Sequence, residues 1–290
     1  MSKRKRAIYF LAFLAGFIIL MYPTFSDLWN RYRNSRLVSD YQQEVAEIDT
    51  ADLEKILADA QAYNAQHTVN TVVDAFDNSE NYILTHPYDT LLNPDGDEVM
   101  GSIEIPKISV NLAIYHGTGT DSLEKGVGHV QGTSLPVGGE GTHAVLAGHR
   151  GLANAKLFTD LDQLRIGDKF FLHVLNSTLA YEVDQIEVVE PDDMTYLAIE
   201  PGQDLVTLLT CTPYGENTQR LLVRGHRVPY TETDVKEEQD KQTIHLNRDE
   251  PVRFLAAGLI LVFILISIIR AVRRRSERRK EDKTKRKESP

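Results

Sequence analysis

A chain of 290 residues that is 42% hydrophobic and 26% charged can bury one substantial core with length to spare for tails, and its one cysteine, Cys211, excludes an internal disulfide. The formal net charge of -10 conceals an asymmetry: Lys3, Arg4, Lys5 and Arg6 crowd one end, and residues 270–290 carry eleven Lys/Arg against four Asp/Glu, so the middle is strongly acidic.

Behind the first basic cluster lies AIYFLAFLAGFIILMY, residues 7–22, an uncharged run that would reach about 24 Å as a helix at 1.5 Å per residue. With Pro23, Thr24 and Phe25 it nears the roughly 30 Å hydrocarbon core of a bilayer. No small-x-small cleavage site follows, so residues 1–26 read as an uncleaved signal anchor rather than a removed signal peptide. In residues 27–67, Leu37, Tyr41, Val45, Ile48, Leu53, Ile56, Leu57 and Ala60 fall near helical spacing, and Thr50 is a candidate N-cap. Two helices forming a stalk are predicted there. Residues 68–100 carry Asp74, Asp77, Asn78, Asn81, Pro87, Asn93, Pro94 and Gly96 without sustained periodicity, the pattern of a long irregular segment such as a lid.

From 101 to 230 β signals dominate, with strands predicted at 102–108, 112–115, 144–147, 169–175, 179–189, 205–210 and 221–227 and short helical pieces at 122–125 and 155–164. Many short strands, Gly-rich turns and no βαβ rhythm predict a mainly β fold, a closed and mainly antiparallel barrel. Residues 231–251 form a polar linker. A second apolar run, FLAAGLILVFILISII at 254–269, predicts a transmembrane helix over 252–270, followed by a basic tail at 271–290. The tail abuts the span and so fits a stop-transfer signal better than a nucleic-acid-binding segment. Basic clusters on the outer ends of both runs place both termini in the cytoplasm and the acidic middle outside the cell membrane, a two-pass topology.

Leu205, Val206, Thr207, Leu208 and Leu209 form the apolar run of a buried strand; Pro213, Tyr214 and Gly215 turn the chain, and Leu221, Leu222 and Val223 begin another strand. Cys211 therefore ends one strand and Arg220 opens the next, and a hairpin-like pairing would bring them together. A thiol attacks as thiolate, so a reactive cysteine needs positive charge or an imidazole to lower a pKa of about 8.5. The same position also suits a buried cysteine acting as a small hydrophobe. Among the histidines, His143 and His149 flank the strand at 144–147 and His129 follows Gly128; His149 stands between Gly148 and the Arg150-Gly151 pair, where the backbone can turn and admit substrate. A zinc site from His143, His149, Cys211 and His226 would lack the close-spaced ligand pairs of known zinc motifs, so neither metal nor cofactor is expected.

Thr207-Leu208-Leu209-Thr210-Cys211 followed by Arg220 resembles the TLxTC signature and trailing arginine of the sortases, cysteine transpeptidases of the Gram-positive surface. EIPKI, IYHGT and GVGHVQGTSLPVGGEGTHAVLAGHRG resemble the class C, pilin-polymerising branch, and the likeness covers about residues 74–230. It implies an eight-stranded sortase β-barrel flanked by the two transmembrane helices, with Cys211, His149 and Arg220 as the catalytic residues. It also implies a lid, marked in class C by Asp-Pro-aromatic, whose aspartate faces the arginine and whose ring covers the cysteine. Here Asp74-Ala75-Phe76 is the nearest match, without the proline that would stiffen it; His86-Pro87-Tyr88 is a second candidate.

By that resemblance the protein cleaves an LPxTG-like sorting signal through a thioester and joins it to an amine, most readily a pilin lysine. Its partners would be pilins or other surface proteins bearing the signal. The alternatives are a housekeeping sortase that anchors proteins to peptidoglycan and a membrane-tethered scaffold with an inert Cys211; capture of a thioester with a sorting-signal peptide separates the enzymes from the scaffold.

Overall fold

The computed structural model describes residues 3–67, 74–76, 84–94, 96–152, 154–231, 258 and 270. Its strands are β1 (Val99–Ile105), β2 (Val110–His116), β3 (Val127–His129), β4 (Thr142–Ala147), β5 (Lys169–Val174), β6 (Ser177–Val189), β7 (Asp204–Thr212) and β8 (Gln219–Val228). They close into an eight-stranded barrel in the order β1-β2-β3-β4-β7-β8-β6-β5, with β5 paired back to β1. The β2/β3 and β4/β7 pairs run parallel and the other pairs antiparallel, so the mainly antiparallel closed barrel expected from the strand pattern is present.

Strand alternation decides what faces inward. Ala144 and Leu146 of β4, Val206 and Leu208 of β7 and Leu221 and Val223 of β8 join the central core with Ile103, Ile114, Phe170 and Tyr181. Their neighbours Val145, Ala147, Leu209 and Leu222 belong to a second apolar cluster, which also takes in Ala75 and, at its edge, Phe76. With a period of two along each strand, this second set lies on the outer face of the barrel wall.

Several elements differ from expectation. The strand predicted to run to residue 108 stops at Ile105, because Pro106 has no N–H for the ladder and opens a 3₁₀ turn, Pro106–Ile108. The helix predicted over 155–164 is absent; Leu157 sits at φ 39° and only a 3₁₀ turn, Leu161–Gln163, forms. Strand β3 was not expected, being only three residues long and rich in glycine.

The two helices expected over residues 27–67 are present, with different bounds. Helix α1 (Lys3–Glu47) is one continuous element with Pro23 inside it, and α2 (Thr50–Gln66) begins after Asp49, which is the N-cap in place of Thr50. Residues 26–47 of α1 belong to the same compact unit as the barrel. Asn34, Val38, Tyr41 and Val45, spaced by three and four, make the buried stripe. Tyr41 Oη donates to Met100 O at 3.0 Å and accepts from Leu175 N at 2.9 Å, which pins the helix to β1 and to the β5–β6 turn. Asn64 of α2 does the same at Leu135, donating to its carbonyl and accepting from its N–H. These contacts pack the helices of the expected stalk against the barrel.

Among the described residues one helix, the part of α1 from Leu11 onward, is long and apolar enough to cross a bilayer. The second expected span, residues 252–270, lies outside the described residues apart from Gly258 and Arg270, as does the basic tail.

Candidate active site

The β7–β8 hairpin sets the first two functional side chains. Cys211 is directly opposite Arg220 in the antiparallel register, which places their Cβ atoms about 5 Å apart on one face. Cys211 shares the parity of Leu209, and Arg220 that of Leu222, so both project from the outer face of the wall. Each is 8% exposed.

A buried guanidinium needs an anionic partner, and Asp74 supplies it from 146 residues away in sequence. Arg220 Nε donates to Asp74 Oδ1 at 2.9 Å and Nη2 to Oδ2 at 2.6 Å, a bidentate pair. Arg220 Nη1 is satisfied by the carbonyls of Asn217 and Gln219 at 3.2 and 3.0 Å. Two residues on, the Phe76 ring lies with its centroid 5.3 Å from Arg220 Cζ and 5.5 Å from the centroid of the His149 imidazole. One aromatic ring therefore contacts both the arginine and the histidine, while Ala75 between the two contacting residues is buried in the outer apolar cluster.

His149 is presented by the loop that leaves β4. The parallel register aligns Ala147 with Leu209, Gly148 N donates to Leu209 O at 3.0 Å, and Thr210 Oγ1 donates to Gly148 O at 2.7 Å. Residue 148 must be glycine: a Cβ there would lie 2.7 Å from the Phe158 ring. Phe158 N in turn donates to His149 O at 3.1 Å.

Burial pushes the Cys211 thiol pKa above its ordinary value; the Arg220 charge works against this and the Asp74 carboxylate adds to it. Burial also lowers the His149 pKa, with Glu124 pulling weakly the other way. The thiolate expected from a neighbouring positive charge is thus not favoured: burial outweighs the Arg220 charge, and Asp74 adds to the burial effect. Both shifts favour the neutral forms, thiol and imidazole.

The other candidates lie elsewhere. The His143 ring faces Ala198 O at 2.8 Å and Thr207 Oγ1 at 2.7 Å, and His226 lies 3.8 Å from Asp184. Among the described residues no three His, Cys, Asp or Glu side chains gather into a metal-ligating group. His129 is fully buried, its pKa lowered to about 4, with Nδ1 at 2.8 Å from Tyr88 Oη and Nε2 at 2.8 Å from Ser134 O. Tyr88 is itself part of the central core, so His86-Pro87-Tyr88 anchors the chain there. Arg224 is engaged by Asp184 and Glu200. Nothing in the sequence marked the Phe158 ring that closes on Gly148; the glycines around the His149-Arg150 pair were the available signal.

The sequence matches the Sortase domain family over residues 103–228. It is 33% identical to sortase D of Bacillus subtilis (strain 168) over 138 residues, covering 47% of this chain and 67% of that protein. The solved sortase C of Streptococcus pneumoniae is 45% identical, with a TM-score of 0.64 over 68% of this chain and 98% of its own. Sortase C-1 of Actinomyces oris is 48% identical, with a TM-score of 0.59 over 62% and 99%. The chain belongs to the sortase family.

Within it, this sortase falls in the class C branch, and like its relatives it is a cysteine transpeptidase. A nucleophile, an imidazole and a guanidinium at one surface of a barrel wall are the groups such chemistry needs: one to attack a carbonyl, one to move protons, one to hold the developing oxyanion.

Proposed function

We propose that this sortase cleaves an LPxTG-like sorting signal on a surface protein and joins it to a pilin lysine, with Cys211 as nucleophile, His149 as proton carrier and Arg220 as oxyanion donor. The observation that carries the reading is the Cys211–Arg220 cross-strand pair with His149 drawn to the same aromatic ring. The pilin assignment is supported by Streptococcus pneumoniae sortase C, which has pilin substrate specificity.

When Asp74 withdraws, Arg220 is free to act on the site and the thiol proton passes to His149. The Cys211 thiolate adds to the scissile carbonyl carbon, and Arg220 donates to the resulting oxyanion, an interaction strongest in the transition state. His149 as imidazolium gives its proton to the leaving amine as the C–N bond breaks, leaving a thioester. Neutral His149 then takes a proton from the incoming lysine amine, whose attack forms the new amide and releases the thiol.

The test is intact-mass detection of a thioester on Cys211 with an LPxTG peptide, followed by addition of amine acceptors. Discharge by a lysine-bearing pilin peptide is expected. Discharge only by a cell-wall-type amine would support the peptidoglycan-anchoring alternative, and no thioester at all would reject the LPxTG-like substrate or Cys211 as its nucleophile.

We also propose that the division into anchor (1–26), helices (27–67), lid segment (68–100), catalytic domain (101–230), linker (231–251), second span (252–270) and basic tail (271–290) corresponds to a two-pass membrane protein. The N-terminal apolar helix supports one span, and the Lys/Arg clusters orient both. Protease added to intact protoplasts is expected to digest the central domain and spare the C-terminal tail; loss of the tail would reject the topology.

A further inference from the structure

We propose that Arg150 is a positioning residue that sets His149 against Cys211, by tying the loop leaving β4 to the end of β7 and the turn that follows it; this rests on the roles proposed above for those two. The β4/β7 register ends at Ala147 opposite Leu209, and the backbone link between the two strands continues only as far as Gly148, through Leu209 O and Thr210 Oγ1. His149 and Cys211 both lie just beyond, where the loop has left the ladder.

Past Gly148 the connection runs through the Arg150 side chain. Although His149 is half-buried and turned to the Phe76 ring, the next side chain turns in and is only 8% exposed. Arg150 Nη1 donates to Thr212 Oγ1, on the residue after Cys211, at 3.2 Å. Its Cζ lies 5.9 Å from the Tyr214 ring centroid, and Nη2 is held by the Asp162 carboxylate at 2.5 Å. Tyr214 packs in turn over Gly151, where a Cβ would come within 3.3 Å of the ring. The planar guanidinium thus bridges three segments: the histidine loop, the end of β7 with the turn after it, and the Leu161–Gln163 turn.

Fold stability alone does not require an arginine here. Arg150 Nε is buried and has no hydrogen-bond partner among the described residues, and its carboxylate partner Asp162 is 48% exposed. A buried guanidinium with one N–H unpaired costs stability. What the arrangement secures is alignment, and for groups that must pass a proton and attack a carbonyl in concert, displacement by about 1 Å can lower the rate about a hundredfold.

The test compares Arg150→Met, Arg150→Lys, Thr212→Val and the Arg150→Met/Thr212→Val pair in the full-length enzyme, by kcat and KM for an LPxTG peptide and by Tm. Arg150→Met is expected to lower kcat about tenfold to a hundredfold with KM nearly unchanged and Tm equal or higher. Arg150→Lys, which keeps the charge but not the fork, should restore little of the loss. Thr212→Val should show a smaller fall in kcat, and the pair should be no worse than Arg150→Met alone, since both remove one link. Unchanged kcat in Arg150→Met, a rise confined to KM, or additive losses in the pair would overturn the proposal. If Arg150→Met melts below the assay temperature, Thr212→Val decides, and full kcat there overturns it. Wild-type turnover in the same assay keeps these outcomes separate from a failure of the transpeptidase reading.

Discussion

Cys211→Ala is expected to abolish both thioester formation and transpeptidation, because no other thiol exists in the chain to take its place. His149→Ala is expected to lower kcat/KM by about 10²–10⁴, the range for loss of a general acid–base group, and Arg220→Ala by about 10²–10³, the range for loss of an oxyanion donor. The arginine variant carries a second signature. Its guanidinium also binds Asp74 and lies against Phe76, so its removal releases the closed segment while removing transition-state stabilisation. Iodoacetamide labelling of Cys211, read at a pH high enough to form the thiolate in both proteins because loss of the Arg220 charge raises the thiol pKa, should therefore rise in Arg220→Ala even as transpeptidation falls. His149→Ala should not show that reversal to the same degree, since its contact with the lid is a single ring–ring approach. Arg224→Ala serves as the control: it is an equally engaged arginine of β8, paired with Asp184 and Glu200. A loss of activity in folded Arg224→Ala equal to that in Arg220→Ala would reject the site assignment.

The second large effect is expected from opening the lid without touching the three proposed catalytic groups. Asp74→Ala combined with Phe76→Ala deletes a bidentate, largely buried ion pair, with side chains 10% and 18% exposed, and a cation–π contact. Charge-assisted hydrogen bonds contribute about 1.5–3 kcal/mol and a cation–π contact about 0.5–1 kcal/mol, offset by the cost of ordering the segment. A net closure of about 1.5–3 kcal/mol corresponds to labelling about tenfold to a hundredfold faster once closure is lost. The pH dependence separates opening from a change in the thiol itself. Burial and the Asp74 charge both hold the Cys211 pKa up, so removing both should lower it and shift the midpoint of the labelling curve to lower pH. Opening alone would multiply the rate at every pH. An unchanged rate in the double variant would mean that residues 74–76 do not gate the thiol.

Alternating apolar residues around Cys211 and Arg220 made two strands and the turn between them legible, because β7 and β8 are adjacent in sequence and pair locally. The same is true of the barrel class, since short strands between glycine-rich turns have few other ways to bury their inner faces. The glycines around His149 were legible as a place where backbone must turn, and the structure adds what demands it at Gly148, the Phe158 ring. Composition failed where local propensity was weak. The apolar stretch at 155–164 had helical spacing, yet it packs as turns around the histidine loop, with Ala155, Phe158, Leu161 and Leu164 buried.

From sequence alone came the lone thiol, the strand–turn–strand that sets an arginine opposite it, the histidine loop, and the apolar runs bracketed by basic clusters, each of which depends on residues close in the chain. Tertiary structure decided the contacts made at long range. The pairing of Asp74 with Arg220 spans 146 positions, and no local pattern specifies it. The burial that raises the Cys211 pKa and lowers that of His149 is a property of the assembled chain, so the direction of these shifts could not be read from residue types. Likewise Arg150 is one charged residue among many in the sequence; only closure of the parallel β4/β7 pair brings it to Thr212 and Tyr214, because a parallel neighbour must come from a distant part of the chain.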